Sequence, residues 1–297
     1  MILFLSSLLH AKTHTIASVT ASSSFSDEHG NYVAKQLTDD YASKAWVEDE
    51  KAAGLGAWVE VKLDASQEIN EIELWNGNWY SYNEWDYYNR IKDLEVKFAD
   101  GSSETFTLKD EKKTESLKLK KPVKSDSVKL IIRSVHKGSA YTDRTAISEV
   151  RIKGMGHEKY PLAKVSATSE LPEDNDGSYY GNNLQDRLID TAWCSKEAAD
   201  GASIKYDFPT NTKISKIQVV NGNAADFKIF MAYAKPKAFE LSFSDGSSEK
   251  VMVKPSPKAQ TIALSKPRTV KSVEVTPADI YAGKSQPNTC ISELRFE

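Results

Sequence analysis

The sequence has little of what most enzymes and membrane proteins need. Its five histidines form no HExxH or HxH pair, and no GxSxG elbow, phosphate-binding loop or complete dinucleotide fingerprint occurs. A carboxylate pair for glycoside hydrolysis would leave no such signature. No run reaches the roughly 18 apolar residues of a membrane span. These absences give little support to catalysis or to a membrane span.

Cysteine and excess positive charge are also scarce. The two cysteines, Cys194 and Cys290, lie in the second half, and neither belongs to a CxxC pair, which argues against a cysteine-rich zinc site. The net charge is −3, from 39 basic and 42 acidic residues. Nucleic acid is therefore not the expected partner, because binding phosphates needs a basic face.

The first eleven residues, MILFLSSLLHA, form a short apolar run that ends on a small residue. Such a run is typical of the hydrophobic region of a secretory signal with cleavage near Ala11, although no Lys or Arg precedes it. The alternative is a buried N-terminal strand. A signal predicts a secreted or periplasmic protein.

What the chain does have is a long internal repeat. The aromatic stretch NGNWYSYNEWDYYNRIK at Asn76–Lys92 returns as NGNAADFKIFMAYAKPK at Asn221–Lys237, an offset of 145 residues. The turn DGSSE at Asp100–Glu104 returns at the same offset. A period this long predicts two whole domains rather than a solenoid. We expect a signal segment at residues 1–11, domains at 12–154 and 164–297, and a linker at 155–163.

The pattern inside each copy is that of β-strands. Runs such as WVEVKL and AFELSF alternate apolar and polar residues, and DG turns between such runs predict hairpins. No long stretch keeps a helical period. The sequence therefore predicts an all-β protein of two tandem β-sandwich domains.

Each half resembles a discoidin-like (galactose-binding-like, coagulation-factor type C) jelly roll. The motifs that carry this resemblance in the first half are Leu37, Asp39, Trp46, Trp58–Val61 and Ile147–Val150. The closest resemblance is to the NADase-type glycan-binding domain, on the motifs Asn76-Gly77, Tyr88–Arg90, Lys92, Gly138, Tyr141, Asp143 and Thr145–Glu149. The resemblance implies glycan binding without catalysis, because the NADase module of that family is a separate domain.

Comparison of the two copies separates shared residues from special ones. Tyr82, Trp85 and Tyr88 match Phe227, Phe230 and Tyr233, so we expect these rings to form one helical face packed on the sandwich. The tryptophans Trp46, Trp58 and Trp193 are predicted to lie in the core. The NG dipeptides are predicted to be turns.

The residues special to the first copy are candidates for ligand contact. Alanine replaces Trp79, Tyr80, Tyr87 and Asn89 in the second copy. Aromatic faces mixed with polar hydrogen-bonding groups suit a sugar. The predicted ligand-binding set is Trp79, Tyr80, Tyr87, Asn89, Arg90 and Asp143. The alternative is that these residues dock on a protein, which would make the chain a structural or adhesion module of an envelope assembly.

The resemblance also implies a structural Ca²⁺ and a disulfide. Related domains hold the ion between an Asp-rich loop and the terminal Glu, which places candidate ligands at Asp39 and Glu149, and at Asp186, Thr191 and Glu293. Lys44 near Asp39 offers a salt bridge in place of the ion, and each Glu could instead cap backbone amides. In such a jelly roll Cys194 and Cys290 are expected at one end of the sandwich, within bonding reach.

Overall fold

Long antiparallel strands fill both halves of the chain, as the alternating sequence predicts. The computed structural model describes residues 10–156, 162–173, 178–196 and 202–297. The chain divides into two units, Met1–Glu158 and Lys159–Glu297. The all-β prediction of two tandem domains is confirmed.

In its described residues, 10–156, the first domain has one α-helix and two short 3₁₀ turns among its strands. The turns span Ala34–Thr38 and Ala52–Gly54, and helix α1 spans Tyr82–Tyr87. Its strands are β1 (His10–Thr13), β2 (Ile16–Ala21), β3 (Ser26–Asp27), β4 (Gly30–Asn31), β5 (Trp46–Val47), β6 (Trp58–Asn76), β7 (Tyr88–Phe98), β8 (Ser103–Thr107), β9 (Glu115–His136) and β10 (Tyr141–Gly156). The main sheet has the order β1-β10-β6-β9-β7-β8, with β2 on β6 and β5 on β10, and β10 also runs parallel to β7.

The second domain repeats this plan. Its strands are β11 (Lys164–Ala167), β12 (Trp193–Cys194), β13 (Ile204–Asn221), β14 (Tyr233–Phe243), β15 (Ser248–Met252), β16 (Gln260–Tyr281) and β17 (Gln286–Phe296). A 3₁₀ turn spans Gly181–Gln185, and helix α2 spans Phe227–Ala232. The strand order is β11-β13-β16-β14-β17-β12, with β15 on β14. It corresponds to the first domain when β13, β16, β14 and β17 are matched to β6, β9, β7 and β10.

Each domain has its own apolar core, built from the alternate residues that point inward. Trp46 and Trp193 are fully buried, as predicted, and the indole N–H of each donates to a backbone carbonyl, of Ser23 and Ser169 respectively. Trp58 differs from the prediction. It is only half-buried, because it shares the outer face of β6 with Glu60 and not the inner face.

The turns follow the sequence prediction. The DG turns close the hairpins β7–β8 and β14–β15, with Gly101 at φ +85° and Gly246 at φ +82°. The NG glycines, Gly77 and Gly222, also have positive φ, of +92° and +77°. Backbone in this region favours glycine, which explains why both copies keep it.

The boundaries bear on the predicted signal and linker. Strand β1 pairs with the end of β10, so His10 and Ala11, the last two residues of the predicted signal, lie in a strand. Residues 1–9 lie outside the described residues. Strand β10 continues to Gly156, so residues 155 and 156, the first two of the predicted linker, belong to this strand. Residues 157–161 lie outside the described residues. Within the described residues no helix is long and apolar enough to cross a membrane.

The two cysteines meet where β12 pairs with β17. Cys194 and Cys290 are directly opposite each other in the ladder, their Cα atoms are 4.1 Å apart, and they form a disulfide. Both are fully buried. The bond links residues 96 positions apart and so closes most of the second domain.

Candidate functional site

The candidate site of the first domain is built around helix α1, which is only six residues long. The helix begins after Ser81, whose hydroxyl accepts the backbone N–H of Glu84 (3.1 Å), and it ends at Tyr88, where the backbone becomes extended. Tyr82, at the exposed start, is 56% accessible, and its counterpart Phe227 is 74% accessible. The prediction that these two rings belong to the core is wrong.

Arg90, on β7, links the end of helix α1 to the loop between β8 and β9. Its guanidinium donates to the Asp110 carboxylate through Nε (2.9 Å) and Nη2 (3.0 Å), and Nη1 donates to the carbonyls of Tyr88 and Asp86 at the helix end. In the second domain Lys235 likewise donates to the carbonyl of Tyr233 (3.0 Å). Because Arg90 is buried and these donors are used inside the domain, we assign it to holding the helix and leave it out of the ligand surface considered below.

Asn89 is also structural. Its side chain is fully buried, Nδ2 donates to the carbonyl of Thr142 (3.0 Å), and Oδ1 accepts the N–H of Gly138 (2.9 Å). The amide thus fixes the loop between β9 and β10 against the start of β7. Because the side chain is buried and bonded on both sides, we leave Asn89 out of the ligand surface considered below.

The half-buried Lys112 lies over the rings of the half-buried Trp79 and the exposed Tyr82, and we call these residues, with the exposed Tyr80 next to Trp79, the aromatic patch. The Lys112 ammonium lies 5.5 Å from the Trp79 ring centroid and 4.4 Å from that of Tyr82. Tyr80 is 68% accessible. The Trp79 indole N–H donates to the carbonyl of Asn76 (2.9 Å), so this ring offers an outer face and edge but no free donor.

The position of the patch depends on two anchors. The backbone N–H of Trp79 donates to the Ser148 hydroxyl (2.9 Å), and the ring packs edge-on against Trp75 at a centroid distance of 6.5 Å. The bond between Arg90 and Asp110 ties the β8–β9 loop, which carries Lys112, to the helix. The patch is therefore held by elements that are far apart in sequence.

Tyr87 and Asp143 do not belong to the aromatic patch. Tyr87 is half-buried and meets Tyr141 edge-on, with centroids 6.1 Å apart. The exposed carboxylate of Asp143 lies 3.6 Å from the Arg144 guanidinium. The sequence thus predicted one surface, but the structure divides these residues between the patch and the surroundings of Tyr141.

Around Tyr141 lies a second group, the tyrosine cluster of Phe25, Tyr32, Tyr88 and Tyr141. Phe25 and Tyr32 stack at 5.7 Å, and Tyr141 lies 4.7 Å from Tyr88. Burial, followed by the Asp27 charge, raises the pKa of Tyr32, and burial also raises the pKa of Tyr88. Both phenols are therefore neutral hydrogen-bonding groups at neutral pH, which suits packing and not nucleophilic chemistry.

The residues that the resemblance assigned to Ca²⁺ are engaged with the protein's own cations and donors. The Lys44 ammonium lies 3.2 Å from Asp39 in the first domain, which is the salt bridge that the sequence offered as the alternative. In the second domain Thr191 donates to Asp186 (2.9 Å), and the Arg295 guanidinium lies 2.9 Å from Glu293.

Burial raises the pKa of the Glu293 carboxyl, which disfavours its charged form. Glu149, also buried, lies in β10 opposite Trp75. Within the described residues no three His, Cys, Asp or Glu side chains are grouped to hold a metal. Calcium prefers six to eight oxygen ligands, so the residues present do not fit this ion.

Sequence reasoning missed two residues of the site, Asp110 and Lys112. Both lie in the loop run KDEKK, which resembles any solvated turn, and no local signal connects them to the NG stretch about thirty residues earlier. Asp110 is identified by its ion pair with Arg90, and Lys112 by its contacts with the Trp79 and Tyr82 rings. Both contacts exist only in the folded chain.

Two tandem all-β domains, with loop-borne aromatics at one end of the first, define a discoidin-like protein of the F5/8 type C class. The chain belongs to the family described as the NAD glycohydrolase translocation F5/8 type C domain, whose sequence profile matches residues 10–153 and again residues 157–297. The resemblance that the sequence motifs carried is thereby confirmed.

More distant similarities were found among solved structures, while no curated protein matches the chain significantly. The Clostridium perfringens ZmpB structure with CBM32-1, CBM32-2 and M60 catalytic domains is 10% identical with a TM-score of 0.37, and it covers 95% of this chain. The chain spans only 37% of the length of that protein.

Two single modules each match about half of the chain. A pectin-binding module is 22% identical over 47% of this chain and 91% of its own length, with a TM-score of 0.35. The family 32 module of Clostridium perfringens NanJ, solved with galactose, is 12% identical over 49% of this chain and 100% of its own, with a TM-score of 0.38. Because these values are low, the assignment of the chain rests on the family profile.

Proposed function

We propose that the chain is a non-catalytic carbohydrate-binding protein whose ligand surface is the aromatic patch of the first domain. The observation that carries this proposal is the exposure of Tyr80 and Tyr82 beside Trp79 and Lys112. Large aromatic side chains gain about 1.5–3 kcal/mol when they are buried, so an exposed group of them favours a partner.

The chemistry of the patch suits a sugar. The apolar face of a pyranose stacks on tyrosine and tryptophan rings, and its hydroxyls accept hydrogen bonds from an ammonium such as that of Lys112. The tyrosine hydroxyls add groups that both donate and accept.

The second domain supports the assignment because it builds the same loop without the rings. The backbone N–H of Ala224 donates to the Ser292 hydroxyl at 2.9 Å, as that of Trp79 does to Ser148. The fold therefore needs neither the Trp79 nor the Tyr80 side chain, since alanines occupy both places in the second domain. Their presence in the first domain is best explained by binding.

We place the protein outside the cytoplasm, in the secreted or periplasmic space. The disulfide Cys194–Cys290 favours an oxidising compartment, and the apolar N-terminal run is typical of a secretory signal. A glycan of the cell envelope or of the secreted space is then the available ligand class. The rival function is docking of the same patch on an envelope protein, for which flat aromatic surfaces are equally suited.

The experiment is a glycan-array screen followed by titration of the best glycan into the chain and into the double variant Trp79→Ala with Tyr80→Ala. We expect binding to be lost while the melting temperature falls only slightly, because Tyr80 is exposed and Trp79 is half-buried. The matched control is Phe227→Ala, which removes an exposed ring from the equivalent helix of the second domain.

Binding retained by the double variant would overturn the proposal. A chain that binds no glycan but captures an envelope protein through the same two residues would favour the docking function instead.

A further inference from the structure

A second surface of the first domain lies on the outer face of its sheet. Where β6, β7 and β9 run side by side, an open groove of about 510 Å³ is lined by Lys62, Lys97 and Lys129. We call these three residues and the space between them the basic groove. It lies on the strands, whereas the aromatic patch is carried by α1 and the loops.

The three lysines are placed close together by the strand register. Lys97 on β7 is directly opposite Lys129 on β9. Lys62 on β6 is opposite Ser127, two residues from Lys129 on the same face of β9. Like charges directly opposite each other on neighbouring strands destabilise a sheet. The Lys97–Lys129 pair therefore costs stability, and Glu60, directly opposite Lys129 on β6, offsets part of that cost.

Carboxylates offset part of this charge. Glu60 lies 3.7 Å from the Lys129 ammonium, and Glu95 lies 3.4 Å from that of Lys97. Within the described part of the chain, no carboxylate is within salt-bridge distance of Lys62, which is exposed. Asp126 also lines the groove, so three lysines face the two carboxylates Glu60 and Asp126 and leave an excess of one positive charge, with Lys62 as the unpaired lysine.

Trp58 supports the groove from the side. Its half-buried ring lies on the outer face of β6, and the Lys129 ammonium is 3.9 Å from the ring centroid. A cation over an indole face is held by the ring quadrupole. The ring therefore keeps this ammonium at the groove.

The second domain has the same sheet without the groove residues. Ser242 is directly opposite Glu274, and Asp207 is opposite Ser272, in the register of the first domain. The residues Ser203, Asp207, Ser242 and Glu274 stand where the first domain has Trp58, Lys62, Lys97 and Lys129. The fold forms with no lysine at these places, so the lysines of the first domain have another role.

We propose that the basic groove is a second binding site, which takes the acid groups of an anionic polysaccharide. An open groove on a sheet face admits a chain molecule, and compact ammonium groups bind carboxylate or sulfate as point charges. Nucleic acid is the less favoured polyanion, because its closely spaced phosphates need a continuous basic face, whereas Glu60 and Asp126 leave this groove an excess of only one positive charge.

The test is titration of the full chain with polygalacturonate and with dextran sulfate, and with neutral dextran as the reference. Binding to either polyanion that weakens as salt is added, with none to dextran, is the expected result. The polygalacturonate and dextran sulfate arms show whether carboxylate or sulfate is preferred. Single-stranded DNA that binds as well as the polysaccharides would overturn the proposal.

The decisive variant carries Lys62→Asp with Lys97→Ser, which introduces the residue types that the second domain has at the equivalent positions, Asp207 and Ser242. We expect binding about tenfold weaker, from the loss of two surface charge interactions and the gain of one repulsion. Both side chains are exposed or half-exposed, so folding should be kept, and thermal melting checks this. If the double variant does not fold, Lys62→Gln alone answers the same question.

The matched control is Lys121→Asp with Lys118→Ser, which changes the charge equally on β9 outside the groove. An equal loss of binding in both variants would mean general electrostatic attraction, and the groove would not be a site. The variant Trp79→Ala with Tyr80→Ala should bind the polyanion normally. This outcome separates the groove from the carbohydrate site proposed for the aromatic patch.

Discussion

The two domains stabilise the same position of the sandwich by different means. In the first domain Val47 on β5 is opposite Ala146 on β10, and in the second Cys194 is opposite Cys290. The apolar pair lies among Phe25, Tyr32, Tyr87 and Tyr88, and the disulfide lies among Leu171, Tyr179, Ala192 and Tyr233. A cluster of several aromatic rings thus occupies in one domain the place that a covalent bond with fewer rings occupies in the other.

A second difference lies one residue further along. Glu48 in the first domain is fully buried, and its carboxylate accepts the backbone N–H of Thr145 (2.9 Å). Ser195 in the second domain accepts the N–H of Thr289 (3.0 Å) through a neutral hydroxyl. The same backbone bond is thus made with an ionisable group in one domain and a neutral group in the other.

The largest expected effect comes from replacing the disulfide by the pair of the first domain. The variant Cys194→Val with Cys290→Ala should lower the free energy of unfolding of the second domain by about 4–5 kcal/mol in the chain-entropy model, because the closed loop is long. Calorimetry of the full chain should show the transition of the second domain at lower temperature, with that of the first unchanged.

Reduction of the unsubstituted protein is the control for this variant, since it breaks the same bond without changing the packing residues. A second-domain transition that neither treatment moves would contradict the prediction, because it would show that the bond adds no measurable stability.

An intermediate effect, equal in the two domains, is expected at the shared NG turn. A Cβ on Gly77 would lie 2.7 Å from Cδ1 of Trp85, and on Gly222 it would lie 2.8 Å from Cε2 of Phe230. With positive φ at both glycines, Gly77→Ala and Gly222→Ala should each cost about 2–3 kcal/mol of unfolding free energy in their own domain. Denaturant titration of each variant measures this.

Gly101→Ala is the comparison for these variants, because its φ is +85° but a Cβ there would meet no atom within 4 Å. It should cost only the backbone strain, about 1–2 kcal/mol. Clearly different costs at Gly77 and Gly222 would mean that the two turns are not equivalent.

The smallest effect concerns pH and Glu48. Burial raises the pKa of this carboxyl above its ordinary 4.5, the N–H groups of Glu50 and Thr145 lower it, and the Glu50 and Asp49 charges raise it, with a net rise. For a raised carboxyl pKa, the stability that Glu48 contributes is present below about pH 4.5 and lost as the pH rises through the raised value. The first domain should therefore lose stability over that window.

The measurement is the unfolding free energy of the unsubstituted chain and of Glu48→Ser from about pH 4 to pH 8. The variant should flatten the pH dependence of the first-domain transition and leave that of the second unchanged. Equal slopes with and without Glu48 would show that its pKa is the same in the folded and unfolded chain.

The candidate site was only partly predictable. Comparing the copies identified Trp79 and Tyr80, because an exposed ring is dispensable for the fold and the second copy lacks it. The same comparison says less at Asn89, because the amide fixes the loop at Gly138 in the first domain although alanine replaces it in the second. Tyr82 was misassigned because it is the first residue of α1 and extends to solvent there, which a spacing of three residues along the sequence does not reveal.

The sequence by itself determined the β-strands, the DG and NG turns, the two domains and the family, because these depend on residue alternation, on glycine at positive φ and on a repeat that can be read along the chain. Only the tertiary structure decided which polar side chains face inward, that Lys112 joins the aromatic patch, and that Lys62, Lys97 and Lys129 share one groove. The physical reason is that burial, ion pairing and cross-strand register join residues that are distant in sequence, and no local pattern records which of them meet.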